Sequence, residues 1–178
     1  MKRIFRSRKG LSTVVTTLII LVVSVLLATV VTYYAINITS TRVEEESLSV
    51  RKAHVWVSTA GTTTDTQAAF VIINTGGRDV VLDKITVRGQ EISWSNVYYS
   101  ISDTAPSGDL SYQNETTIGD SYTQATDDLL LPSGKSATIY ITDPGSISLQ
   151  DIGTTVSIVV FTAQAQYYKE CNVEAYTG

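Results

Sequence analysis

The residues able to do chemistry in this chain are few, and their spacing rules out more than it offers. His54 is the sole histidine and Cys171 the sole cysteine, so neither a zinc pair at i and i+4 nor an intramolecular disulfide exists. His54 sits where a helical pattern gives way to a strand pattern and reads as structural. Cys171 lies in a predicted terminal strand with Lys169 as its basic neighbour, and reads as a small buried or edge thiol rather than a nucleophile. Gly76-Gly77 is followed by neither a helix nor Lys-Ser/Thr, so it is a turn and not a phosphate cradle. Asp103, Asp109, Asp120, Asp127 and Asp128 lack calcium-loop spacing. A solvated acidic loop is the favoured reading there, with calcium as the alternative. Two N-x-S/T sequons, Asn37-Ile38-Thr39 and Asn114-Glu115-Thr116, are candidate glycan acceptors. No constellation for an enzyme, a cofactor or a metal emerges.

The densest chemical signal is charge. Lys2, Arg3, Arg6, Arg8 and Lys9 are five of the 13 basic residues, and the cluster ends at Gly10. The next charge is Arg42, leaving 32 uncharged residues between it and Lys9. As a helix rising about 1.5 Å per residue these span roughly 48 Å, more than the ~30 Å hydrocarbon core of a bilayer. The basic cluster is expected to remain cytoplasmic and the rest of the chain to lie outside. A cleavable secretory signal has a shorter apolar region followed by a small-x-small site, and neither holds here. Beyond residue 10 the chain carries 8 basic and 17 acidic residues, a net charge of −9. So acidic a surface, with no basic patch, argues against nucleic acid as a partner.

The elements that must carry these residues follow from periodicity. Residues 11–53 read as one helix. Its 18–31 stretch is apolar on every side, so it needs lipid or other helices around it. Past residue 38 it is expected to leave that medium and lay one face on a globular domain. From residue 54 the period becomes that of strands, expected at 54–59, 69–74, 80–87, 91–99, 137–142, 156–163 and 166–173. The 75–79 segment (TGGRD) reads as a hairpin turn and the 131–135 segment (LPSGK) as a loop into a strand. The stretch from 100 to 128, rich in Ser, Thr, Asp, Gly and Tyr, reads as exposed loop with at most a short hairpin. The fold class is therefore α+β: a long apolar N-terminal helix, then a mainly antiparallel β-sandwich, Ig-like, over residues 54–178.

Within the helix Thr13, Thr17, Ser24, Ala28 and Ala35 fall inside a sector of about 60° at about 100° per residue. Ile20, Val31 and Ile38 share or border it. The stripe is either a by-product of a Thr-rich segment or a face for close helix packing.

A basic segment ending Arg8-Lys9-Gly10, then Leu11-Ser12 and an uncharged helix, resembles the class III signal of archaeal type IV pilins and archaellins. The stretches FVIINTGGRDVVLDKITVRG and TVSIVVFTAQAQYY look like their head domains. The resemblance implies a signal peptide at 1–10, cut by a prepilin peptidase between Gly10 and Leu11. It also implies a helix that spans the membrane in the precursor and moves into the core of a homo-oligomeric filament, with Val25 in its dry interior. The implied partners are copies of the same chain and the assembly machinery; the implied address is the cell surface. Where bacterial pilins have a glutamate at the fifth mature position this chain has Val15, so docking through that carboxylate does not exist here. Adhesion is the favoured role. The alternatives are an archaellin of a motility filament, or a single-pass surface sandwich that binds a ligand without polymerising.

Overall fold

The computed structural model describes residues 7–43, 45–59 and 65–177, side chains at 7–11 and 41–43 excepted. It divides into two compact units after Val43, and each is considered by itself.

The first unit is one helix, α1 (Ser7–Val43). The sequence pattern had suggested that it continues to residue 53, and it does not. Three consecutive acidic residues, Glu44 to Glu46, follow Val43 in the sequence, and carboxylates are disfavoured in the last turn of a helix. Leu48-Ser49-Val50-Arg51 then alternates with period two and opens a strand, β1 (Leu48–Ser58). Leu48, Val50 and Val55 are thus strand residues, not a helix face laid on a domain.

The second unit is a curled, mostly antiparallel sheet. Its further strands are β2 (Asp65–Asn74), β3 (Val80–Val87), β4 (Gln90–Glu91), β5 (Val97–Ser102), β6 (Thr123–Gln124), β7 (Leu129–Leu131), β8 (Ser136–Thr142), β9 (Thr155–Thr162) and β10 (Gln166–Tyr176). The order is β4-β3-β9-β10-β1-β2-β8-β5-β6, with β7 alongside β3. Every pairing is antiparallel except that of β1 with β10, the first and last strands. The predicted strand at 80–87 matches to the residue. The one at 91–99 is broken by a 3-10 turn at Trp94–Asn96. The 75–79 segment is a turn but not a hairpin turn, because β2 and β3 do not pair.

One cluster unites Val55, Val57, Phe70, Ile72, Ile139 and Ile141 with Leu82, Ile85, Val87, Ile158 and Val160. These come from opposite ends of the strand order, so the sheet closes over its own inner face. On the outer face Trp56, Ala69 and Tyr140 form a second cluster. What covers it is the segment read from sequence as exposed loop. That segment contains a short helix, α2 (Glu115–Ser121), whose Ile118 is fully buried against the cluster, with Leu110, Tyr112 and Tyr122 packed beside it. Apolar burial, at roughly 25 cal/mol per Å² removed from water, is what holds it there.

Candidate functional site

None of the described side chains of α1 is sheltered by the rest of its unit. Ser12–Ser40 is 29 residues long, apolar enough to cross a membrane, and unburied throughout. Large side chains from Val14 to Ile38 stand 45–65% exposed, among them six in unbroken succession from Leu18 to Val23. Successive residues point about 100° apart, so the apolar surface runs around the whole helix.

Seven of the described hydroxyls of α1 are satisfied within the helix. Thr16 donates to the Ser12 carbonyl, Thr17 to Val14, Ser24 to Ile20, Thr29 to Val25, Thr32 to Ala28, Thr39 to Ala35 and Ser40 to Ile36, at 2.7–2.9 Å. A hydroxyl turned back on its own helix presents a nearly apolar outer surface and has no unmet donor in a dry setting. This is the physical reason a Thr-rich sequence is compatible with an apolar medium, and it was not legible from composition.

Helical geometry places Thr13, Thr17, Ser24, Ala28 and Ala35 along one face, each exposed, with Val25 57% exposed outside that stripe. Arg8, Lys9, Gly10 and Leu11 lie on the first turns of α1, and their side chains fall outside the described residues. Of the two sequons, Asn37 lies inside α1, and the hydroxyl of its Thr39 already donates to a helix carbonyl. Asn114 is the exposed N-cap residue of α2, in extended backbone, and its side chain makes no capping bond.

In the sheet unit the residues weighed as chemical candidates are dispersed. The Cys171 thiol is pushed up to about 11 by burial, the wrong direction for a nucleophile. Asp103 pairs with Lys135, Asp109 with His54, and Asp127 accepts from the Asp128 amide. Among the described residues no three His, Cys, Asp or Glu side chains are placed to hold a metal ion. His54 is inside β1 rather than at a helix boundary. Its ring stacks on Trp56 at 5.2 Å and 4°, and both nitrogens face carboxylates.

Sequence reasoning missed one constellation altogether. Asn74, fully buried, donates to the carbonyls of Arg78 and Leu131 and accepts from the Gly76 amide. The same turn receives the three residues that lead into β1: the Thr75 and Gly76 amides both donate to the Ser47 carbonyl, at 2.8 and 3.0 Å. On the other side Thr162 donates to Glu46. Segment 45–47 is thereby clamped between the turns that follow β2 and β9.

No protein-family model matches the chain, and no curated protein does. Solved structures it resembles include the copper-bound PCuAC domain from PmoF2. The identity is 14% and the TM-score 0.36, over 74% of this chain and 99% of that one. A likeness that slight carries no argument about fold or copper here.

Proposed function

We propose that this chain is a surface-displayed structural subunit, assembling through its N-terminal helix. More particularly, we read it as a pilin of the archaeal type IV kind, polymerised into an extracellular filament that serves adhesion. The observation that carries the reading is α1 itself: a helix apolar on all sides, seven of whose hydroxyls donate to its own carbonyls. Such a surface is stable in lipid and equally stable in a bundle of like helices, so one helix serves precursor and filament without redesign. The basic cluster ending at Gly10 supplies the switch, because a cut before Leu11 removes five positive charges that hold the precursor across the membrane.

In this reading the curled sheet is the sandwich-like head. The facing of its two ends across one core, and the parallel pairing of first and last strands, support that description. Asn114 is the better-placed glycan acceptor, exposed and uncommitted, whereas Asn37 is held within the helix. A single-pass binding protein has no use for a cut ahead of its anchor, which favours the filament.

The test is electron microscopy of material sheared from cells, with terminal sequencing of its main component. Filaments whose subunit begins Leu-Ser-Thr-Val are expected. A surface protein starting at Met1, or beyond Ala28, would refute the reading.

A further inference from the structure

The geometry points to His54 as a pH-dependent tie on the segment 103–113, the strap that covers the outer aromatic cluster. The strap is fastened from β1 and β2. Lys52, itself held in the left-handed region at φ 51°, donates to the carbonyls of Pro106, Ser107 and Gly108. Gln67 and Gln113 exchange two bonds at 2.8 and 2.9 Å, and the Tyr140 hydroxyl donates to Ser111. None of these changes protonation near neutral pH. His54 is the exception, since imidazole is the side chain that changes charge between about pH 5 and 8.

The imidazole of His54 sits between two carboxylates. Nε2 lies 3.0 Å from Asp109 Oδ1 on the strap, and Nδ1 lies 3.5 Å from Glu174 Oε1 on β10. A neutral imidazole carries one N–H, so one of its nitrogens must then turn a lone pair toward a carboxylate. Only the imidazolium meets both. The other groups near it are Lys52, whose ammonium is occupied by the strap carbonyls, and, beyond Trp56, the phenols Tyr112 and Tyr176. None of them supplies the missing proton.

The lower limit of the window comes from Asp109. The hydrogen bond from His54, then that from the Leu110 amide, holds its carboxyl below the usual value of 3.8. A depressed carboxylate contributes above its unfolded pKa, and that contribution is lost as pH falls through the folded value. The tie is therefore complete only where Asp109 is ionised and His54 is still protonated. Both carboxylates are largely exposed, at 68% and 51%, so the effect is that of a screened pair. An exposed ion pair corresponds to a factor of about 1.5 to 5 in an equilibrium. His54 thus adjusts the strap's hold rather than switching it, and it does so whether or not the chain polymerises.

The experiment uses the full chain in detergent with Trp94→Phe, leaving Trp56 as the reporter. Hydrogen exchange of peptides spanning 106–112 is followed from pH 5 to 8.5, normalised to intrinsic exchange, alongside Trp56 fluorescence. Strap opening should rise about two- to fivefold across the imidazole titration, and Trp56 emission should change with the same midpoint. His54→Gln should abolish both. Asp109→Asn, at an exposed position of the strap, should flatten the pH dependence of opening while leaving the fluorescence titration in place. A wild-type strap indifferent to pH, or a pH dependence that survives either substitution, overturns the proposal.

Discussion

Gly76 is the position where adding one carbon should do most harm. A Cβ there would stand 2.6 Å from the Glu45 carbonyl oxygen and 2.7 Å from the Ser47 nitrogen. Both are backbone atoms and neither can swing aside. Relief requires segment 45–47 to retreat by several tenths of an ångström, which breaks the paired donation of Thr75 and Gly76 to Ser47 and the 2.9 Å contact between the Ser47 and Thr75 hydroxyls. Overpacking of this kind costs about 1–3 kcal/mol, and each lost bond about 0.5–1.5. A net loss of about 2–4 kcal/mol follows for Gly76→Ala, because strain that is relieved by movement is not also paid as a clash. For a domain of this size that is roughly 6–15 °C in melting temperature. The assay is thermal and urea unfolding of a fragment beginning at Glu45, with Gly119→Ala as the control. Gly119 lies in α2 with open space where its Cβ would go, and should gain a few tenths to about 1 kcal/mol from helix propensity. A Gly76→Ala fragment that melts within about 1 °C of wild type would mean the clamp yields freely, and the account of how β1 is anchored fails.

Three other substitutions test separate parts of the molecule. Gly10→Val should leave uncut precursor in the membrane, read as a slower band on immunoblots of membrane fractions; normal surface filaments would argue that no peptidase acts there. Val25→Asp puts a carboxylate on the fully apolar stretch of α1 and should cost several kcal/mol in any dry bundle. Filaments should vanish by microscopy while the full-length variant still reaches the membrane with its sheet unit resistant to limited proteolysis; normal filaments would refute the packing account. Asp151 accepts from the Ser148 hydroxyl and amide and from Arg88 at 2.6 Å, and these hold its carboxyl below 3.8. Its stabilisation is present above the unfolded pKa and lost as pH falls through the folded one. Asp151→Asn should therefore destabilise the fragment at pH 7, with the two stability curves converging in acid; parallel curves down to pH 2 would exclude the electrostatic account.

Where sequence reading succeeded, the deciding signal was local. An uncharged run of 32 residues centred on LIILVVSVLLATVV is too long and too apolar for a strand and reads as a helix, and β3 is bounded by a glycine-rich turn on one side and Arg88-Gly89, both at positive φ, on the other. It failed where the decision was made elsewhere in the fold. The end of α1 was misplaced because Val43, Leu48, Val50 and Val55 are too unevenly spaced to fix either period; pairing with β2, with a register shift between Arg51 and His54, settles it. The turn at 75–79 looked like a hairpin since two good strands flank it, yet β2 turns to β1 and β8 while β3 turns to β9. Strand partners are chosen by the closure of the core, which no window of ten residues encodes.

The cover of the outer cluster, made of the strap and of α2 after it, was missed for a related reason. Its apolar anchors Leu110, Tyr112, Ile118 and Tyr122 follow no single period, since they approach the sheet first as irregular chain and then as one turn of helix. Only their partners, Trp56, Ala69 and Tyr140 on alternate positions of three neighbouring strands, give the pattern sense. An outer face carrying a tryptophan and a tyrosine at full burial needs a cover, and a stretch with four aliphatic or aromatic residues in thirteen is enough to supply it. The same logic separates α1 from everything else. Its surface from Val14 to Ile38 is predominantly apolar, and no described segment of its own unit covers it. The strap protects the sheet's outer cluster from within the chain; α1 has to be protected by something outside its own unit. That difference is why the proposed function is placed on the helix rather than on a pocket or titratable cluster of the sheet unit.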